Sequence, residues 1–295
     1  VVERNAMRHY LALIAVLVWG VLKLDRPVFA GAIACLALVP IGLVRNRSPR
    51  AFAASIVAGL NNGMGQLVGV GIACAVAGLV VGTLSMADLT GKISSGMFTL
   101  AGGSYALTLL VATVVIILLG MGMPTPAVYA LSAVLAAPAL LALKIELLPA
   151  HLFIVYFASM SAITPPVAVA AFAAASIARA NPIAVAFVAC RVGIVAFVLP
   201  LVFVSQPGLL LMGDAATVVT TIGFVLMGAM CLVIAFEGWL FGLVATPLRA
   251  ALVVLAIVLL AQSGAARWGA AATFLALVVW RYRRRSAASP RSAPA

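Results

Sequence analysis

The sequence predicts an all-α polytopic membrane protein, and three observations support that fold class. Of the 295 residues, 66% are hydrophobic and 8% are charged, whereas a soluble domain carries about 25% charged residues. Long apolar runs recur along the chain, many of them near the roughly 20 residues that a membrane helix needs. The alternation of polar and apolar residues that a membrane barrel requires is missing from these runs.

The formal net charge of +12 comes from basic residues that lie mostly in short loops and in the C-terminal tail. In a membrane protein such residues set the topology and contact anionic lipid head groups. We therefore expect membrane lipids, and no nucleic acid, as partners. The four cysteines and two histidines lack metal-ligand spacing, so we expect no transition metal.

Apolar runs and the charges between them predict the individual elements. A weaker, more polar helix over 51–64 and a polar stretch over 85–104 interrupt the series of spans. The predicted spans are 9–22, 28–44, 65–84, 105–143, 151–178, 183–205, 215–236, 250–263 and 268–281.

The distribution of arginines predicts how these spans cross the membrane. Loop 45–50 and the tail from Arg281 are basic and should both be cytoplasmic. Both reach that side only if 105–143 makes no net crossing. This run is nearly twice as long as one crossing requires. It is therefore predicted to enter and leave as a hairpin.

The tip of this hairpin falls in "LLGMGMPTPAVY", residues 118–129. Pro124 and Pro126 lack backbone N–H groups, and Gly120 and Gly122 permit unusual dihedral angles. Several carbonyl groups near the tip are therefore expected to lose their helical partners.

A second break follows in "SMSAITPPVAVA", residues 159–170, where Pro165 and Pro166 have the same effect. Unwound backbone at membrane depth is tolerated where it is buried in protein or lines a cavity, and its carbonyls then bind cations. The hydroxyl groups beside the two breaks belong to Thr125, Ser161 and Thr164. The breaks thus favour a cation site, with ordinary proline kinks as the alternative.

The segments "GMGMPTPAVY" and "SMSAITPPVAVAAFAAASIARANP" closely resemble the large membrane subunit of TRAP (tripartite ATP-independent periplasmic) transporters. Supporting segments are "AHLFIVYFASMSAITPPVA", "LPLVFVSQPGLLL" and "FEGWL". The similarity covers roughly residues 50 to 240. The nearest variety is the fused permease that is paired with TAXI-type binding proteins.

The resemblance implies an elevator-type secondary transporter of the bacterial inner membrane. Its relatives use a Na⁺ gradient to import carboxylates or other small solutes, which a periplasmic solute-binding protein delivers. Their core is two inverted repeats, each with a re-entrant hairpin and a broken helix. The resemblance identifies 105–143 as the second hairpin and 151–178 as its broken-helix partner. The implied Na⁺ site lies near Gly120, Met121, Gly122, Thr125, Ser161, Ala162, Thr164 and Pro165.

On this interpretation the chain has four parts. Residues 1–50 form a scaffold-like helical pair, 51–205 the transport repeat, 206–281 the C-terminal helices and 282–295 a basic cytoplasmic tail. Only one hairpin repeat is evident, so we expect the C-terminal half of a fused permease. Its partner would be the remaining permease half or a small membrane subunit. The alternative is a non-transporting partial permease or partner subunit.

Two further hypotheses concern individual side chains. Arg191 lies within "AFVACRVGIVAF", where a charge either contacts an anionic substrate or extends towards the cytoplasmic surface. An intramembrane enzyme would need a nucleophile with a base, an aspartate pair or HExxH. The six acidic residues are scattered over loops, so we expect a transporter component and no enzyme.

Overall fold

The computed structural model describes residues 14–21, 23, 27–45, 49–261 and 264–288, and most of them are helical. Residues 14–21 form a helical segment. The named helices are α1 Pro27–Arg45, α2 Pro49–Met86, α3 Leu89–Leu100, α4 Tyr105–Leu119, α5 Thr125–Ala142, α6 Leu147–Met160, α7 Val169–Ala178, α8 Pro182–Val192, α9 Ile194–Ser205, α10 Ala215–Glu237, α11 Thr246–Leu260 and α12 Gly264–Ala288. A 3₁₀ turn, Pro207–Leu210, precedes α10.

Several of these helices have the length and apolar composition of membrane spans. Phe52–Met86, Thr125–Ala142 and Ala215–Glu237 each qualify alone. The pair α7 and α8 qualifies together, although the two helices are bent by 116° at the break between them. Shorter apolar helices are α4, α6, α9 and α11. Within the described residues, the prediction of an all-α polytopic membrane protein is confirmed.

Three predicted boundaries differ from the structure. Helix α2 runs unbroken through Met64 and Gly65, where two separate segments were predicted, because glycine and asparagine only weaken a helix and do not end it. The predicted polar stretch 85–104 contains helix α3. The predicted span 183–205 is divided at Gly193 into α8 and α9.

The chain forms two compact units, Val1–Gly69 and Val70–Ala295. In the first, a Cβ atom on Gly20 would lie 3.0 Å from the Cβ of Ala30, so a side chain at position 20 would be tightly crowded against α1. The second unit carries both predicted breaks.

The second unit has two main apolar cores. One joins the hairpin arms α4 and α5 to α6 and α9, and its aromatic centre includes Phe153 and Phe157, whose ring centroids lie 4.8 Å apart. The other joins α10, α11 and α12 around Leu252, Leu259 and Phe274. Between membrane helices the surrounding lipid is as apolar as these side chains, so close van der Waals packing holds such cores together. The first core holds the hairpin against α6, and this packing positions the two breaks.

Candidate functional site

The first break separates α4 from α5. The N–H of Gly120 donates to the carbonyls of Ile116 and Ile117, at 2.9 and 3.1 Å, and closes α4. Gly122 has φ +81°, a left-handed conformation that favours glycine. The α-helical pattern therefore stops within one turn of Leu119.

The two prolines of this break lie at the start of α5. Pro124 has an extended backbone and directly precedes the helix, and Pro126 is its second residue. Proline is tolerated in a first helical turn because those N–H groups have no intrahelical partner. Thr125 is the first residue of α5.

The second break begins where α6 ends. Residues 161–168 are non-helical, and the Pro165–Pro166 peptide bond is cis. Ala168 then adopts φ +36° before α7 starts. The hydroxyl of Thr164 donates to the Met160 carbonyl at 2.8 Å, so this side chain caps the end of α6.

The structure brings the two breaks into direct contact. The hydroxyl of Ser161 lies 2.6 Å from the Ala158 carbonyl oxygen and 3.1 Å from the Gly120 carbonyl oxygen. Ser161 is only 2% exposed. A Cβ atom added to Gly120 would overlap the Ser161 side chain. Gly120 and Ser161 therefore join the hairpin tip to the end of α6.

Both breaks leave carbonyl groups unpaired. Among the described residues, none donates a hydrogen bond to the carbonyls of Leu119, Met121, Gly122, Met123, Pro165, Pro166 and Val167. By contrast, the Ala162 carbonyl accepts from the Ala170 N–H at 2.9 Å, and the Thr164 carbonyl accepts from the Ala168 N–H at 3.2 Å. A carbonyl oxygen has two lone pairs, so these two oxygens retain acceptor capacity. The region is rich in neutral oxygen atoms that can accept further interactions.

Arg191 lies on α8, next to a residue that contacts the second break. The neighbouring Cys190 thiol lies 3.4 Å from the Ile163 carbonyl oxygen. The Arg191 guanidinium is 3.4 Å from a carboxylate oxygen of Glu237, and the two side chains are 49% and 44% exposed. The two residues are 46 positions apart, so sequence patterns gave no indication of this ion pair.

A further backbone break follows α10, and sequence reasoning did not single it out. We call residues 238–245, between α10 and α11, the arginine-capped loop. Arg249 donates to the carbonyls of Ala235 and Phe236 at 2.5 and 3.0 Å. Arg281 donates to the carbonyls of Leu240 and Leu243 at 3.3 and 3.0 Å. The available signal was the abundance of arginine near predicted helix ends, where cations stabilise the last turn.

A family model described as "Tripartite ATP-independent periplasmic transporter, DctM component" matches residues 2–218. The chain belongs to this DctM family. The resemblance to the large membrane component of TRAP transporters is thereby confirmed, and membership agrees with a transporter component rather than an enzyme. No curated protein and no solved structure shows significant similarity to the chain.

The matched region of this DctM component contains both breaks and Arg191. The arginine-capped loop, α11 and α12 lie beyond it. Family membership therefore bears on the function of residues 2–218. The function of the region after residue 218 has to be inferred from its structure.

Proposed function

We propose that this DctM component forms the ion-coupled transport repeat of a TRAP permease in the bacterial inner membrane. The permease would import a small solute, expected to be a carboxylate, that a periplasmic solute-binding protein delivers. The remaining permease half or a small membrane subunit would complete the assembly. Family membership supports the transporter class, and the geometry of the two breaks supports sodium as the coupling ion.

The observation that carries the proposal is the contact between the Ser161 hydroxyl and the Gly120 carbonyl. It places the unpaired carbonyls of both breaks in the same neighbourhood. Rings of carbonyl oxygens replace the hydration shell of a monovalent cation in membrane proteins. Unwound segments of transporters coordinate Na⁺ in the same manner. The Na⁺ ion would bind between the hairpin tip and residues 161–165.

Such an ion would couple binding to movement, because its ligands come from two separate elements. A Na⁺ ion held by both breaks favours the arrangement in which the hairpin tip and the end of α6 are together. A ligand shifts a conformational equilibrium only through different affinities for the two states. Sodium and solute would therefore both favour the loaded, mobile form, as an elevator mechanism requires.

Equilibrium binding of ²²Na⁺ to the purified chain tests this proposal. We expect saturable binding that Ser161→Ala and Thr164→Val each weaken by about tenfold, the equivalent of one lost hydrogen-bonding ligand. Ser159→Ala is the matched control, because its hydroxyl donates to the Val155 carbonyl of its own helix at 2.9 Å. This variant should bind Na⁺ as the unmodified chain does.

Two results would contradict the proposal. Saturable binding that survives both substitutions would place the ion elsewhere in the chain. A complete lack of binding, in a chain that retains its helical circular-dichroism spectrum, would favour the non-transporting partial permease. Solute import itself would be measured as Na⁺-dependent uptake into proteoliposomes that contain the binding protein and the other permease components.

A further inference from the structure

A pocket of about 210 Å³ lies between the arginine-capped loop and α12. Its lining comprises Leu240, Phe241, Gly242, Trp280, Arg281 and Arg284. All of these residues lie beyond the region that the family model matches. No residue of either break lines it, so the pocket is distinct from the proposed sodium site.

The two arginines of the pocket carry positive charges that no described carboxylate neutralises. Arg281 uses its donors on the carbonyls of Leu240 and Leu243, which fixes its guanidinium against the loop. The Arg284 guanidinium carbon lies 4.2 Å from the centroid of the Trp280 ring, a cation–π arrangement that leaves its N–H donors free for a ligand. Among the described residues, Arg191 and Glu237 form the only salt bridge, so neither Arg281 nor Arg284 is paired with a carboxylate.

Backbone donors add to this positive field. Phe241 and Gly242 have φ values of +53° and +149°, because the loop reverses direction there. The Leu240 N–H donates to the Gly242 carbonyl at 2.9 Å. The N–H groups of Phe241 and Gly242 donate to no acceptor among the described residues. Unpaired consecutive N–H groups in a tight turn attract anions.

The surroundings of the pocket are those of a membrane–water interface. Trp239, Trp280 and Tyr282 are 56%, 47% and 60% exposed, and Leu243 is 87% exposed. Tryptophan and tyrosine concentrate at the level of lipid head groups. Exposed aromatic and aliphatic side chains beside an anion site suit an anion that carries acyl chains, because these chains would cover the apolar surface.

We propose that this pocket binds the phosphate group of an anionic phospholipid. Arg284 and the free N–H groups of the loop would hold the phosphate, while Arg281 supplies charge from its fixed position. The exposed side chains of Trp239 and Leu243 would contact the glycerol and acyl chains. Basic pockets of this kind between membrane helices bind anionic head groups. The proposal stands independently of sodium coupling.

Native mass spectrometry of the full chain in a neutral detergent tests the site. Phosphatidylglycerol is the probe, and phosphatidylcholine is the zwitterionic comparison. We expect the first phosphatidylglycerol to bind at least about tenfold more tightly than phosphatidylcholine, and Arg284→Gln to remove at least about tenfold of that affinity, as loss of a charge-assisted hydrogen bond would. Arg284 donates to no described backbone carbonyl, so its replacement leaves the loop intact.

Arg283→Gln is the matched control, because it removes the same charge one position away and Arg283 does not line the pocket. An equal loss of affinity in both variants would reduce the effect to diffuse attraction and overturn the site. Equal binding of the two lipids would also overturn it. Competition by free glycerol phosphate at the concentration of the lipid would show that acyl chains contribute nothing, and the lipid assignment would then be wrong.

Discussion

The two breaks around Gly120 and Ser161 and the arginine-capped loop address the same physical difficulty in opposite ways. Each interrupts an apolar helical region and leaves carbonyl groups without helical partners. At the arginine-capped loop and the end of α10 before it, guanidinium groups donate to the carbonyls of Ala235, Phe236, Leu240 and Leu243. At the other two breaks, no described residue donates a hydrogen bond to the carbonyls of Leu119, Met121, Gly122, Met123, Pro165, Pro166 and Val167.

The difference separates a permanent cation, present at the arginine-capped loop, from the exchangeable one that we propose for the paired breaks. A guanidinium is part of the chain, stays charged at every physiological pH and fixes the loop in one arrangement. Neutral carbonyls in a low-dielectric region attract a mobile cation without preventing its release. The arginine-capped loop is thus suited to a structural role, and the paired breaks are suited to reversible ion binding.

The largest effect on stability is expected at Gly120, in the paired breaks. In Gly120→Ala, the new methyl group would overlap the Ser161 side chain, which forces the hairpin tip away from α6. Overpacking of this kind costs about 3 kcal/mol at the upper end of its usual range. The measurement is the thermal unfolding midpoint of the purified chain in detergent, which should fall.

Two further variants make this test specific. Gly120→Ala combined with Ser161→Gly should recover most of the lost stability, because the second change removes the overlapping atoms. Gly96→Ala on α3 has no heavy atom within 4 Å of the new Cβ and should be neutral or slightly stabilising. Failure of the double variant to recover would show that Ser161 is not the group that excludes a side chain at Gly120.

A smaller effect on stability is expected at Arg249, which caps the end of α10 before the arginine-capped loop. Arg249→Gln removes two charge-assisted hydrogen bonds and leaves the Ala235 and Phe236 carbonyls without a partner at the end of α10. Such losses destabilise by about 2 kcal/mol, which a urea or thermal unfolding curve in detergent would detect. The ²²Na⁺ affinity should stay unchanged, because neither carbonyl that Arg249 contacts belongs to the two breaks of the proposed sodium site.

Arg191→Gln is the comparison for Arg249, because Arg191 also reaches the end of α10, where it donates to the Glu237 carbonyl at 3.5 Å. The Arg191–Glu237 pair is about half exposed on both sides, and exposed ion pairs contribute about 0–1 kcal/mol. Its loss should therefore be milder than that of Arg249. If Arg191→Gln proved the more destabilising of the two, the assignment of Arg249 as the principal cap of α10 would be wrong. Impaired solute uptake with intact stability would instead support Arg191 as a substrate contact.

The smallest effect concerns the opposite end of α10, where an anion replaces the cation. Asp214 accepts from the Thr217 hydroxyl at 2.6 Å and from the Thr217 N–H at 3.1 Å. The Thr217 hydroxyl, and then its backbone N–H, lower the pKa of Asp214 below its ordinary 3.8. Because the folded-state pKa is depressed, the stabilisation is present above about pH 3.8 and is lost as the pH falls through the lower folded value.

Unfolding curves between pH 5 and acid conditions, on the order of pH 2.5, would measure this contribution. Asp214→Asn retains a capping side chain and cannot titrate. The unmodified chain should lose slightly more stability than Asp214→Asn over this range. Parallel curves for the two proteins would mean that the Thr217 contacts do not persist in solution.

Local features of the fold were predictable from the sequence, and distant contacts were not. Glycine and proline change the conformation of the backbone at their own positions. The breaks near Gly120 and Pro165 could therefore be located from the sequence alone. The predicted interruption at Gly65 was wrong, since isolated glycines lower helical stability without ending an apolar helix. The break at Gly193 was missed because a single glycine in an apolar run gives the same pattern whether the helix continues or stops.

The candidate site shows the same division. The family resemblance predicted Ser161 and Gly120 in one region, but their hydrogen bond spans 41 residues and depends on how the hairpin packs on α6. The arginine caps are separated from their carbonyls by 14 and 41 residues. Their partners are backbone atoms, which every residue possesses, so no side-chain pattern could have indicated them.

The bend between α7 and α8 has a mechanical consequence. The chain leaves Ile163, follows α7, turns at Arg179 and returns along α8, until Cys190 and Gly193 again lie against Ile163. The result is a closed path of two helices, with the 116° bend opposite the second break. Each helix keeps a fixed length, so a shift along the axis of α8 would move its C-terminal end against Ile163. The contact of Cys190 with the Ile163 carbonyl thus gives α8 a direct mechanical connection to the backbone two residues from Ser161.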